Sequence, residues 1–188
     1  MIEGLILVVV FLFWIIVAKC LSPQRRLIIL DLNGVLIHRE RRNGNNSNSG
    51  IALSRFNVWV HPEVTTILDS LVVQGFDIAI WTSVRSENVE ELLPLLNWDP
   101  KRFVFVWTQE NCVVNGEHPN KIGVPNFTKP LDRVWERYPQ YNASNTIIVD
   151  DSAVKLEGYE KNHLHVASWT PGDDVMHIWW ENVKGSPK

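Results

Sequence analysis

Residues 27–37 read Leu27-Ile28-Ile29-Leu30-Asp31-Leu32-Asn33-Gly34-Val35-Leu36-Ile37. The four aliphatic residues from Leu27 to Leu30 lack the apolar/polar alternation of a half-solvated strand. Followed at once by Asp31 to Gly34, they read as a buried strand opening into a loop. A carboxylate placed just beyond such a strand needs a partner, because an isolated buried charge is costly. The same pattern recurs along the chain. Asp77–Trp81 runs into Thr82 and Ser83, Phe103–Trp107 forms a third apolar run, and Thr146–Val149 leads into Asp150-Asp151-Ser152. Between these runs, Pro62 opens a helical stretch through Leu71, Ser86–Leu96 predicts a helix with Ser86 as its N-cap, and Thr128–Arg137 predicts another. Phe56–Val60 alternates as a strand. Arg39–Gly50 reads as an exposed mobile loop and Gln109–Phe127 as an insertion or long loop. Short apolar strands alternating with helices predict an α/β fold built on a parallel sheet.

Composition narrows the possibilities. A chain of 188 residues suits one domain of ordinary size. With 45% apolar and 21% charged residues, both wholesale disorder and a fibrous repeat are excluded. A net charge of -3 argues against a nucleic-acid coat, which needs a basic face. Two cysteines, Cys20 and Cys112, make neither a disulfide scaffold nor a zinc cluster.

The N-terminus departs from this globular composition. Gly4–Ala18 is fifteen residues without a charge. Snorkelling of Lys19 extends the apolar run through Leu21, to about 18 residues, the short end of what crosses a bilayer. Met1-Ile2-Glu3 has no basic residue and carries an acid, the wrong sign for a secretory signal. The expected organisation is a membrane anchor over residues 1–21 and a single domain over residues 22–188. Lys19, Arg25, Arg26, Arg39, Arg41 and Arg42 flank the anchor against Asp31 and Glu40, which predicts a cytosolic main domain.

In an open α/β sheet the carboxyl ends of the strands line one crevice. Asp31 and Asn33, Thr82, Lys129, and Asp150 with Asp151 would meet there. Carboxylates hold a hard cation, and a hydroxyl and an amine can contact phosphoryl oxygens, so the inventory suits a magnesium-dependent site acting on phosphate. Each residue also has a plainer reading. Thr82 can terminate a strand, Lys129 beside Pro130 can be a solvated lysine, and Asp150-Asp151-Ser152 can cap a helix. Lys121 is an alternative to Lys129.

In order along the chain, LIILDLNGVLI, IAIWTS, FTKPL and IIVDDS resemble the four motifs of haloacid-dehalogenase-type phosphatases, in particular the small phosphatases of the RNA polymerase II C-terminal domain. HVASW with Asp173 and Asp174 resembles the closing segment of that family. The resemblance spans residues 27 to about 175 and implies a Rossmann-like parallel sheet flanked by helices, with a small insertion. It implies Asp31 as the nucleophile that becomes an aspartyl phosphate, and Thr82 as the hydroxyl that orients the phosphoryl group. It implies Lys129 as the cation that fixes Asp31 and contacts phosphate, and Asp31, the Asn33 backbone carbonyl, Asp150 and Asp151 as the ligands of Mg²⁺.

Position 33 departs from the family, which has a second Asp there acting as general acid and base. Asn33 keeps the backbone carbonyl and lacks the acid, a loss of ~10²–10⁴ in rate, about 3–5 kcal/mol of barrier. His38 or Glu40 would have to substitute. The family's Glu-Thr becomes Gly34-Val35. Two functions follow. One is a Mg²⁺-dependent phosphoprotein phosphatase weakened at Asn33. The other is an inactive membrane-tethered domain that binds a protein partner, with Gln109–Phe127 on its surface. Both have membrane-anchored counterparts in the family: a nuclear-envelope phosphatase, and a mitochondrial inner-membrane translocase subunit that recognises presequences.

Overall fold

The structure, a computed structural model, describes residues 25–42, 50–120, 122–173 and 183. The expected anchor over residues 1–21 and the alternative Lys121 lie outside them. Among the described residues, no helix is long and apolar enough to cross a membrane.

The core is a five-stranded parallel sheet. Its strands are β1 (Arg26–Leu30), β5 (Phe76–Trp81), β6 (Phe103–Trp107), β9 (Thr146–Asp150) and β10 (His163–His165), in the spatial order β10-β9-β1-β5-β6. β1 therefore pairs on both sides, Leu30 opposite Ile80 of β5 and opposite Val149 of β9. A central strand covered on both faces has no solvated side, which is why Leu27 to Leu30 is uninterrupted and fully buried.

The period-two geometry of β1 divides the core. Ile28 and Leu30 join one apolar cluster with Ile78 and Ile80, Leu27 and Ile29 a second with Ala79, Trp81 and Phe105. The first face is covered by helices α1 (Val64–Val73) and α2 (Ser86–Leu92). In α1, Val64, Ile67, Leu68 and Leu71 are buried at the i, i+3, i+4, i+7 spacing of a single helix face. The second face is covered by α3 (Asp132–Arg137), through Val134, and by Leu131 and Tyr141. The result is a three-layer α/β arrangement, as the strand–helix alternation predicts.

Several boundaries differ from the sequence expectations. Ser86 is the first residue of α2 rather than its cap, which is Arg85, and the helix tightens into a 3₁₀ turn over Leu93–Leu96, where Pro94 lacks an amide hydrogen. Thr128 ends a strand, so α3 begins only at Asp132, beyond Pro130. Arg39–Arg41 is not loop. It belongs to β2 (Ile37–Arg41), which pairs with β4 (Phe56–Val60), itself paired with β3 (Ile51–Leu53), in a separate antiparallel sheet. Charged residues persist there because the far end of β2 faces solvent, and the Arg39 guanidinium lies 4.3 Å from the Phe56 ring centre. Within the expected insertion, β7 (Val113–Glu117) and β8 (Pro125–Thr128) form an antiparallel hairpin.

Gly34 is required by its surroundings. Its φ is +82°, and a Cβ there would collide with the Asp151 carboxylate and the Ser168 hydroxyl. Its carbonyl accepts the Trp169 N–H at 2.8 Å, which docks the segment after β10 onto the loop after β1. Gly34→Ala is expected to cost about 3 kcal/mol from left-handed strain and overpacking together. The urea midpoint of the variant measures this.

Candidate functional site

Register brings the predicted residues to one edge of the sheet. Asp31 follows the end of β1, whose last residue lies between Ile80 and Val149, so Trp81 and Asp150 are level with it on its two sides and Thr82 lies one residue beyond. Asp31 is 1% exposed and Asp150 fully buried. Lys129, just beyond β8, is also fully buried. Its ammonium group donates to the Trp81 carbonyl at 2.6 Å and to Asp150 Oδ2 at 2.5 Å, and lies 3.3 Å from Asp31 Oδ1. The solvated-lysine reading fails for this residue, because its ammonium group is fully buried, hydrogen-bonded to Trp81 and Asp150 and ion-paired with Asp31.

Lys155 is the residue that the sequence reading missed. It lies on the 3₁₀ turn Ala153–Leu156. Its Nζ is 2.9 Å from Asp31 Oδ2, 3.0 Å from Asp150 Oδ1 and 3.7 Å from Asp151 Oδ1. The Lys155 carbonyl accepts the Lys129 N–H at 2.8 Å, so the two lysines are tied to each other through the backbone. The available signal was the Asp151/Lys155 spacing of four, which places the pair on one side of a helical turn.

Three carboxylates against two ammonium groups leave this cluster one formal negative charge. Burial would push the Asp31 carboxyl up, but Lys129 and Lys155 outweigh burial and hold it down to about 2. Burial alone would lower Lys155, and Asp31 and Asp150 instead raise it above the ordinary lysine range. Asp151 is raised by burial, against the pull of Lys155. Because the folded Asp31 value lies below the ordinary 3.8, its contribution to stability is complete above that pH and lost on acidification toward about 2. In chelator, the urea midpoint should fall over that interval. Asp31→Asn should flatten the fall and leave the opposite, smaller trend from Asp151.

The remaining residues have definite places. Thr82 is buried, and its hydroxyl accepts the Val84 N–H at 3.3 Å. Asn33 lies in the loop after β1, with its side-chain oxygen buried and without a hydrogen-bond partner. His38 packs against the Trp59 ring with centroids 5.6 Å apart, and Glu40 is exposed on β2. Cys112 Sγ lies 3.8 Å from the Thr82 carbonyl, and burial pushes its thiol up, away from a reactive thiolate.

With this constellation in place, the comparisons decide the family. The profile of the NLI interacting factor-like phosphatases matches residues 26–178. The chain belongs to that family. It is 28% identical over 158 residues to an uncharacterized FCP1 homology domain-containing protein of Schizosaccharomyces pombe, covering 79% of this chain and 63% of the relative. It is 27% identical over 162 residues to the ubiquitin-like domain-containing CTD phosphatase 1 of Drosophila melanogaster, covering 78% of this chain and 47% of the relative. The chain thus spans less than two thirds of either relative's length. The structure of Fcp1, an essential RNA polymerase II CTD phosphatase, superposes with a TM-score of 0.54 at 15% identity, over 86% of this chain and 48% of Fcp1. Fission yeast Fcp1 bound to beryllium fluoride superposes with a TM-score of 0.57 at 15% identity, over 92% of this chain and 49% of that one. The parallel sheet of this NLI interacting factor-like domain is therefore the haloacid-dehalogenase-like fold of Fcp1.

The donor set suits a metal ion. Asp31, Asp150 and Asp151 each offer a carboxylate oxygen, these atoms lying within 4.8 Å of one another. All are hard oxygen donors of the kind that Mg²⁺ takes. The unpartnered Asn33 oxygen is a further buried acceptor two residues from Asp31.

Proposed function

We propose that the domain is a Mg²⁺-dependent phosphatase of Ser/Thr phosphoproteins, acting slowly through an aspartyl phosphate on Asp31. The observation that carries this reading is the Asp31 carboxylate, ionised between Lys129 and Lys155 at the edge where β1, β5 and β9 end. A carboxylate oxygen of Asp31 attacks phosphorus, the phosphorus–ester oxygen bond breaks, and the alkoxide departs with a proton taken from water, since Asn33 has none to give. Lys129, 3.3 Å from Asp31 Oδ1, holds the carboxylate in place. Thr82 offers its hydroxyl proton to a phosphoryl oxygen. Asp31, Asp150, Asp151 and the carbonyl of Asn33 would hold Mg²⁺, whose charge would offset that of the phosphoryl group. Water then attacks the acyl phosphate without a general base, which makes this second step slow.

Asn33 is also the observation that favours a second reading, a binding domain without turnover for a protein partner. In either reading we propose that the apolar run to Leu21 tethers the domain to a membrane, that of the endoplasmic reticulum and nuclear envelope or the mitochondrial inner membrane. Hydrolysis of an aryl phosphate in Mg²⁺ separates the two. The phosphatase reading expects measurable turnover in the parent and none in Asp31→Asn, whereas silence from a folded parent and a folded Asn33→Asp variant rules it out.

A further inference from the structure

Lys155 sits among the same three carboxylates that would hold a divalent cation. Of the oxygens in the three-carboxylate cluster, Asp31 Oδ1 faces the Leu32 N–H and Lys129, and Asp150 Oδ2 faces Lys129. Lys155 Nζ lies within 2.9 to 3.7 Å of Asp31 Oδ2, Asp150 Oδ1 and Asp151 Oδ1, of which Asp150 Oδ1 also accepts the Ser152 N–H. An ammonium group has three donors and no acceptor, so it satisfies carboxylates but cannot share their lone pairs with a metal ion. A divalent ion ligated there, at about 2.1 Å from its oxygens, would press against the ammonium charge at close range. The two cations exclude each other.

The lysine has a route out. Its side chain is 17% exposed, and its stem borders a cleft lined by Asn115, Thr128, Pro130, Glu157 and Tyr159. The turn that carries it stays anchored, since its carbonyl accepts the Lys129 N–H. Movement can then be borne by the side chain alone, and the exposed Glu157 lines the same cleft.

We propose that Lys155 is a tethered cation that closes the divalent-metal position, so that Mg²⁺ or Mn²⁺ enters only when its ammonium group swings out. The inference rests on the phosphatase reading and adds a regulatory element to it. The resting site is neutralised down to one formal negative charge, with Asp31 Oδ2 covered, and metal supply opens it. A concentration of free divalent ion, rather than Asn33 alone, then limits how much of the protein is competent.

Mn²⁺ binding to the full chain, followed by electron paramagnetic resonance of the free ion, tests this without requiring turnover. Lys155→Met should bind Mn²⁺ at least ~10-fold more tightly than the parent, the scale expected for removing a contact between like charges. Asp151→Asn added to that variant should reverse the gain. Equal affinity in parent and Lys155→Met overturns the proposal. A second measurement uses the parent alone and does not depend on the variant folding. Lys155 should resist an amine-acylating reagent in chelator and react once Mn²⁺ is bound. Lys155 labelled freely in chelator, or still protected with Mn²⁺ bound, contradicts the exclusion. Either contradiction would leave a parent that hydrolyses aryl phosphate through Asp31 as a phosphatase, so the two claims fail separately.

Discussion

Asn33→Asp is expected to raise steady-state hydrolysis of a Ser/Thr phosphopeptide by ~10²–10⁴-fold. The substitution returns a group that protonates the leaving alkoxide and then activates the attacking water. The substitution breaks no hydrogen bond at the Asn33 side-chain oxygen, which is buried and accepts none. The gain should be smaller for an aryl phosphate, whose leaving group departs without a proton, and there it should appear in release of the phosphoryl group from Asp31. kcat measured on both substrates for parent and variant gives the comparison. A variant no faster than the parent on the peptide would mean that position 33 is not where the acid belongs.

Lys129→Met should be among the most damaging single substitutions for stability. It removes the ammonium from between Asp31 and Asp150, which are both buried, and leaves the Trp81 carbonyl without its donor. Breaking a buried ion pair from one side costs about 3–5 kcal/mol, and the low end, about 3 kcal/mol, is expected here because Lys155 still pairs with the other oxygen of each carboxylate. Urea unfolding at neutral pH should show this loss. The deficit should shrink as pH is lowered through the carboxylate range, where Asp31 and Asp150, left with Lys155 alone, can take up protons. A loss below about 1 kcal/mol would show that Lys155 or water can replace Lys129.

The parts of the fold legible in the sequence were those set by burial on both faces. β1, β5, β6 and β9 have no solvated side or nearly none, so their aliphatic runs stand out without any tertiary knowledge. Asp31, Thr82, Asp150 and Asp151 were legible for the same reason, as polar residues closing apolar runs. The sheet of β2, β3 and β4 was not. Its strands are half solvated, and Arg39, Glu40 and Arg41 present the composition of a loop while pairing with Val58, Asn57 and Phe56. The β7–β8 hairpin is exposed along β7 and carries no core pattern. Lys155 was hidden for another reason. Its role depends on the short turn after β9 folding back over Asp31, 124 residues earlier in the chain, and no local pattern encodes that return. Gly34 was readable as a bend, but its contact with Asp151 needed the two strand ends side by side.

The central claim is that Asp31 accepts a phosphoryl group and that the missing acid at position 33 slows its release. The most direct measurement is intact-protein and peptide mass spectrometry of the full chain after brief incubation with an aryl phosphate and Mn²⁺, quenched in acid. The parent should carry one phosphoryl group on the peptide containing Asp31, removable by hydroxylamine as expected of an acyl phosphate. It should accumulate to a higher fraction in the parent than in Asn33→Asp, and be absent in Asp31→Asn. An unlabelled Asp31 in both parent and Asn33→Asp, with both folded and Mn²⁺ bound, would contradict the account.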